Sequence, residues 1–493
     1  MKNLKKLTIL HSNDLHGDFL AEEIDEKLIG GVGMLSGYVN KVRREEKNVI
    51  YAIAGDMFRG SIIDSEYRGI STIQIMNLID PDIVTVGNHE VDYGISQLLF
   101  LEKCADFPII NANMHISTNN VRLFKPYHIF EMDGMKILFI GILTEETLQA
   151  CKSEGLLGTL IDIEDAAEET GRICNAYRST DIDLTVLLTH IGFEQDKKLA
   201  ELLDPAWGVD LIIGGHSHTL PDEPEIVNGI PIVQAGIGTD QIGRFDIMID
   251  TDNNCIDSFT WKTIPIDSTH CPVNIDLEEV IQTFKKCTDR KYNQILTTLA
   301  HKLTHPVRNR ETSLGIFIAD AMKTALNVDI FLMGSGAIRS RELGPIVTLR
   351  DLKACLPYED QIHLLRVTGK QLRQMMLHIL RDEAFIDDSH TEFFQLSRGL
   401  KVEYLQKGHR LLQFRYNGTE ITDNQVFTLG LAHFHYLNTI TSLGIPIEEL
   451  RANGADSVIS TSTMQIIEEF LISGKRQDVK DPGRLILHLD KDQ

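Results

Sequence analysis

The chain has 493 residues, 43% hydrophobic and 24% charged, a composition that excludes a disordered polymer and leaves material for two or three domains with their own cores. No apolar run approaches the roughly 20 residues that a membrane-spanning helix needs. A formal net charge of −23 argues against nucleic-acid binding, because phosphate backbones attract an excess of Lys and Arg.

The opening MKNLKKLTILHSND is basic like a signal peptide, but its apolar LTIL is too short for an h-region, and it reads as the first strand of a cytoplasmic protein. Six further strand-like runs follow: Val49–Ala54, Asp82–Val86, Lys136–Leu143, Leu184–Thr189, Val209–Gly214 and Pro231–Ile237. Helical patterns separate them, which predicts an α/β domain with a substantially parallel sheet. Gly31, Gly33 and Gly37 have the spacing GxGxxxG with no strand before them, so they read as helix-start glycines and not as a dinucleotide turn. After Phe245–Asn254 the alternation stops, and Leu277–Leu299 reads as one charged amphipathic helix. Beyond it, helical patterns are expected at Glu311–Leu326 and Thr368–Phe385. Strands are expected at Val328–Met333, His363–Val367, Lys401–Leu405, Leu411–Tyr416 and Val426–Leu431. Cys104, Cys151, Cys174, Cys255, Cys271, Cys287 and Cys355 are scattered without a CxxC pair, the pattern of buried free thiols in a reducing compartment.

The residues that follow the strands carry the chemistry, since ligands in open α/β sheets bind at the carboxyl ends of strands. Five ends present Asp14 and His16; Asp56; Asn88 and His89; His190; and His216 and His218. Asp14/His16 and His216/His218 are spaced i, i+2, which in extended chain points both side chains the same way. Gly55, Gly87 and Gly215 each precede a candidate ligand, where a missing Cβ permits close approach. Imidazole, carboxylate and amide oxygen without thiolate suit divalent Mn, Zn, Fe, Co or Mg.

In order and spacing, DLH (Asp14–His16), GD (Gly55–Asp56), GNHE (Gly87–Glu90), TH (Thr189–His190) and GHSH (Gly215–His218) resemble the blocks of the calcineurin-like dinuclear metallophosphatases, specifically the 5′-nucleotidase branch. The resemblance implies a two-sheet metallophosphatase sandwich flanked by helices over 1–270, a connector helix over 271–299, and a second α/β, substrate-binding domain over 300–493, with the active site between the domains. It implies two divalent metal ions: one held by Asp14, His16, Asp56 and His218, the other by Asp56, Asn88, His190 and His216. His89, oriented by Asp92, would act on the leaving oxygen and the transition-state charge. Glu90 reads as a solvated or helix-capping acid, and His11, His115 and His128 as structural.

The second domain resembles the branch's substrate-binding domain with departures. Arg308 or Arg310 in VRNRETSLGIFIADA, and Arg339 in FLMGSGAIRS, are candidate phosphate contacts, although Gly334 stands for a usual Asn and Ala337 for a usual Gly. Tyr358 in LPYEDQ and Phe434 in LAHFHYLN would clamp a base, with Asp360 where the family has Asn and YLNTIT (from Tyr436) in place of Gly-Gly-Asp-Gly. Arg398 in SRGL replaces a glycine, where it could fill part of the base pocket or add a phosphate contact. The expected activity is hydrolysis of a small-molecule phosphate ester, foremost a nucleoside 5′-monophosphate. The alternatives are a nucleotide-sugar or cyclic-nucleotide substrate at the same site, and a silent nucleotide-binding sensor.

Overall fold

The computed structural model describes residues 2–116, 119, 121–143, 157–159, 162–358, 360–386, 391–474 and 483–489, so Cys151 lies outside the described residues. The chain divides into two compact units, Met1–Thr288 and Asp289–Gln493. No helix among the described residues is long and apolar enough to cross a membrane.

In the first unit twelve strands build two six-stranded sheets: β1 (Leu4–Ser12), β2 (Val49–Ile53), β3 (Ile83–Thr85), β4 (Ile109–Ile110), β5 (Tyr127–Met132), β6 (Met135–Leu143), β7 (Leu184–His190), β8 (Leu211–Ile213), β9 (Glu225–Val227), β10 (Ile230–Val233), β11 (Gln241–Asp250) and β12 (Cys255–Pro265). The first sheet runs β12-β11-β1-β2-β3-β4 and the second β9-β10-β8-β7-β6-β5. Both are mixed. Four parallel strands sit together in each, β1 to β4 in one and β10, β8, β7 and β6 in the other, while β11, β12, β9 and β5 pair antiparallel at the edges.

Alternation along β1 shows how the layers arise. Leu7 and Ile9 enter a cluster with Ile50, Ile83, Phe139, Val186 and Ile213, which joins the inner faces of both sheets. Leu10 turns outward, with Tyr51 and Val84, onto the buried side of α1 (Val32–Glu45). On the outer face of the second sheet, Leu138, Leu187 and Ile212 pack on α2 (Ile163–Ala176) and α3 (Phe193–Leu202). Strands covered on both faces need near-continuous apolar sequence, which is why these runs stand out. At Gly37 in α1, an added Cβ would lie 1.7 Å from the Pro272 carbonyl oxygen. The chain after β12 closes tightly on that helix.

The helix expected to reach Leu299 is α4 (Ile275–Tyr292), and it stops seven residues short of that point. Residues Ile295–Thr298 form β13 and pair with β15 (Ile346–Thr348), since β-branched Ile and Thr fit a pleated surface better than a helix.

The second unit is built on a five-stranded mixed sheet of β14 (Ile330–Gly334), β16 (Ile362–Thr368), β17 (Phe394–Leu396), β20 (Val426–Ala432) and β21 (Ser457–Ser460), in the order β17-β14-β20-β16-β21; β18 (Leu400–Leu405), β19 (Arg410–Tyr416) and β22 (Leu485–His488) belong to a smaller sheet. One face is covered by α6 (Gly369–Ile379), started by a Thr368–Gln371 capping box. On the other lies α5 (Ser313–Leu326), capped by Thr312. The short α7 (His433–Leu437) follows β20 directly. The six described cysteines are free; Cys174, Cys271 and Cys355 are buried, but Cys104 and Cys287 are exposed, which corrects the expectation of uniformly buried thiols.

Candidate functional site

Because β1, β2 and β3 run parallel in one sheet and β7 and β8 in the other, their carboxyl ends emerge on one edge of the first unit. Asp14 and His16 follow β1, Asp56 follows β2, Asn88 and His89 follow β3, His190 ends β7, and His216 and His218 follow β8. The structure brings all eight together.

The distances define a cation site. Asp14 Oδ1 lies 3.7 Å from His16 Nε2, 3.8 Å from His190 Nε2 and 3.3 Å from His218 Nε2. Asp56 Oδ2 is 3.2 Å from His190 Nε2 and 3.9 Å from His16 Nε2. Asn88 Oδ1 is 3.2 Å from His190 Nε2 and 2.8 Å from His216 Nδ1. Ligands at ~2.1 Å around a tetrahedral ion sit roughly 3.4 Å apart, close to this spacing. Asp14 Oδ1 is buried and takes no hydrogen bond among the described residues, a costly state for a carboxylate oxygen unless a cation answers it. Three groups each bring their ligand atoms within 4.8 Å of one another: Asp14, His16 and His218; His16, Asp56 and His89; and Asp14, Asp56 and His190. The residues therefore fit divalent ions.

The local backbone corrects the extended-chain argument. Asp14, His16, Asp56, His216 and His218 all have positive φ, between 48° and 81°, so these pairs converge through left-handed turns. Each such residue costs on the order of 1 kcal/mol. Buried bracing holds the turns in place. Glu90, expected to be solvated or a helix cap, is fully buried. Its Oε2 accepts from Asp56 N at 2.9 Å and Gly87 N at 2.6 Å, and its Oε1 accepts from Met57 N at 2.7 Å. It ties the β2 loop to the β3 loop, and burial pushes its carboxyl up to about 7. Behind the second sheet, Asp196 accepts from Thr189 Oγ1 at 2.6 Å, and Gln234 Nε2 donates to the Gly215 carbonyl at 2.9 Å. At Gly87 and Gly215 an added Cβ would come within 2.3 Å of Asp56 Oδ1 and 2.5 Å of the Ala54 carbonyl oxygen.

Burial opposes charge on both Asp56 and His190, but their mutual attraction prevails: the carboxyl is held below its ordinary range and the imidazole above. Beside them, His89 Nδ1 is 2.7 Å from Asp92 Oδ2, and its backbone N–H donates to Asp56 Oδ1 at 2.8 Å. The hydrogen bond that His89 donates to Asp92 raises the pKa of its ring against the effect of burial. Arg59, which no motif singled out, donates to the same Asp92 Oδ2. Its loop is pinned by Asp64, which accepts from Arg59 N at 2.8 Å and Tyr93 OH at 2.5 Å.

His11 is a buried acceptor for Trp261 Nε1, with its pKa pushed down by burial to about 3. His115 and His128 are likewise lowered by burial and lie in none of the three ligand groups.

In the second unit, Arg308, Arg339, Tyr358, Asp360 and Phe434 line one cavity of about 530 Å³. Arg310 and Arg398 are not among its lining residues. The Arg310 carbonyl accepts from Gln395 Nε2, and Arg398 donates from its backbone to Asp320 and from its guanidinium to Thr324 Oγ1 on α5. Glu392 and His435 also line the cavity and carried no sequence signal. Glu392 is partly buried, which raises its pKa against the pull of Arg308. His435 is 4% exposed and occupies the space beside Gly334, where a Cβ would fall 2.1 Å from its Nε2.

Two family descriptions match the chain: calcineurin-like phosphoesterase over residues 7–220 and 5′-nucleotidase, C-terminal domain, over residues 294–438. The trifunctional nucleotide phosphoesterase protein YfkN of Bacillus subtilis (strain 168) is 28% identical over 473 residues; the match covers 85% of this chain, which spans 31% of that protein's length. The snake venom 5′-nucleotidase of Naja atra is 27% identical over 447 residues, 81% of this chain and 82% of that one. The crystal structure of a 5′-nucleotidase precursor from Thermus thermophilus aligns with a TM-score of 0.58 at 22% identity, over 98% of this chain and 99% of that one, a likeness of fold. With a two-sheet sandwich that gathers Asp, Asn and His at its strand ends, followed by the matched second unit, the chain belongs to the calcineurin-like phosphoesterases that carry a 5′-nucleotidase C-terminal domain.

Proposed function

We propose that the chain hydrolyses nucleoside 5′-monophosphates to nucleoside and phosphate. The observation that carries its metal dependence is the convergence of His16, His190 and His218 on the buried, unpartnered Asp14 Oδ1. The family works with a dinuclear divalent centre. Asp14, His16, Asp56 and His218 would hold one ion, and Asp56, Asn88, His190 and His216 the other. Bound divalent ions supply Lewis acidity and neutralise phosphoryl charge.

The remaining work falls to the protein's own groups. Asp92 commits Nδ1 of His89, so the proton His89 can hold or give is the one on Nε2. The raised pKa shifts the ring towards its protonated form, suited to answering charge on a phosphoryl group and protonating a leaving alkoxide. Glu90 keeps the loops of Asp56 and Asn88 from shifting apart, because losing one of its bonds would strand a buried N–H.

The nucleotide part of the reading is supported by Tyr358 and Phe434, whose rings can stack on a base, and by the guanidinium groups of Arg308 and Arg339 in the same cavity. It is also supported by relatives named 5′-nucleotidases. A chromogenic phosphomonoester with Mn²⁺ tests the chemistry. Turnover is expected, its loss in EDTA, and a fall in kcat of about 10²–10⁴-fold in His89→Ala. Unchanged turnover in both His89→Ala and Asp56→Asn would sink the mechanism. Release of phosphate from nucleoside monophosphates, measured beside cyclic nucleotides and nucleotide sugars, tests the substrate; preference for either of the latter would move the reading to those esters.

A further inference from the structure

We propose that Asp360 determines base specificity in the second-unit cavity, selecting a base with two adjacent N–H donors, guanine, over adenine. The proposal rests on the nucleotide reading above and adds to it the identity of the base.

Asp360 is held from two sides. Its backbone carbonyl accepts from Thr463 N at 3.0 Å and from Thr463 Oγ1 at 2.9 Å. Its Oδ2 accepts from the backbone N–H of Phe434 at 3.0 Å. The carboxylate is thereby tied to the residue that carries one aromatic ring, two positions along the chain from Tyr358, which carries the other. All three residues line the same cavity. Among the described residues no donor reaches Oδ1, and Oδ2 keeps a second lone pair.

A carboxylate can only accept. The Watson–Crick edge of adenine sets the N6 donor beside the N1 acceptor, and cytosine sets N4 beside N3 in the same way, so a carboxylate meeting either edge squarely turns one oxygen against an acceptor. Guanine offers N1–H and N2–H side by side, one for each oxygen; hypoxanthine offers N1–H alone. An amide at this position would present one donor and one acceptor and so complement adenine. The change from amide to carboxylate replaces a single donor by an acceptor, and it does so at a side chain the fold holds still.

His435, 4% exposed with Nδ1 unpartnered, also lines the cavity. Burial pushes its pKa down to about 4, so it adds a neutral ring and no counter-charge. It occupies the room beside Gly334. Among the described residues that line the cavity there is no side-chain amide.

The test uses the whole 493-residue chain and ligands that need neither phosphate nor metal: guanosine, inosine and adenosine, each titrated calorimetrically into wild type and Asp360→Asn. Asn keeps an acceptor for Phe434 N–H, so the variant alters the recognition edge and retains the tether. Wild type is expected to bind guanosine about tenfold or more tightly than adenosine, with inosine between, and the variant to erase or invert that order. Guanosine binding no tighter than adenosine, or an order unchanged in the variant, overturns the proposal. If the variant does not fold, the wild-type order decides alone. Equal binding of all three defeats the base preference only, whereas no nucleoside binding in a protein that still turns over the chromogenic ester defeats the nucleotide reading itself.

Discussion

Glu90 shows how much one residue's setting changes its meaning. In sequence it is an acid between His89 and Asp92; in the structure it accepts three backbone N–H groups from two ligand loops and has no exposed surface. Glu90→Gln puts an amide donor among those N–H groups. It is expected to cost about 1–3 kcal/mol and to weaken Mn²⁺ binding, as read by thermal melting and by metal titration. Asp196 makes a second prediction, on pH. Burial raises its carboxyl to about 7, so between the unfolded carboxyl value near 4 and pH 7 the folded state holds a proton that the unfolded state has lost. That part of the stability is complete below about pH 4 and declines as pH rises towards 7, by up to a few kcal/mol. Melting of metal-free protein across this window should show the slope, and Asp196→Asn should lessen it, the remainder coming from Glu90 and Asp210, which burial raises likewise.

Among the elements, the parallel strands and the ligands at their ends were legible because strands buried on both faces must be apolar, and polar residues abruptly ending such runs stand out. What was hidden was pairing at the edges. β5 lies outside the strands expected from sequence, although Asp133 and Gly134, both at positive φ, make the two-residue turn that joins it to β6. The overlong expectation for α4 has a related cause: ILTT continues an apolar period, and only its partner β15 makes it a strand. Close packing at α1 was equally invisible. Gly37 reads as a helix-start residue, yet it sits where Pro272 leaves no room for a Cβ. Gly37→Ala is expected to destabilise the protein by ~1–3 kcal/mol through overpacking, despite the better helix propensity of Ala. Chemical denaturation would show it as a lower midpoint, and a higher midpoint would contradict it.

At the scale of the whole molecule, each compact unit has buried clusters of its own, centred in the first on Phe139 and Tyr51 and in the second on Phe394 and Phe331. Calorimetry is expected to resolve two transitions. Mn²⁺ at about 100 times its dissociation constant should stabilise one of them by roughly 2.7 kcal/mol and leave the other in place; a shift of both together would show that the units unfold as one. The sequence by itself determined the α/β class of the first unit and which Asp, Asn and His residues gather in it, because strand-end ligands follow from local pattern and order. The family resemblance named Tyr358 and Phe434, and both line one cavity of the second unit. Only the tertiary structure decided that Glu90 is a brace, that Arg59 shares Asp92 with His89, that Arg310 and Arg398 are not among the residues lining the cavity of Arg308 and Arg339, and that His435 fills the place beside Gly334. Those facts depend on which distant segments come into contact, and buried hydrogen bonds and excluded volume act only once the chain has brought them together.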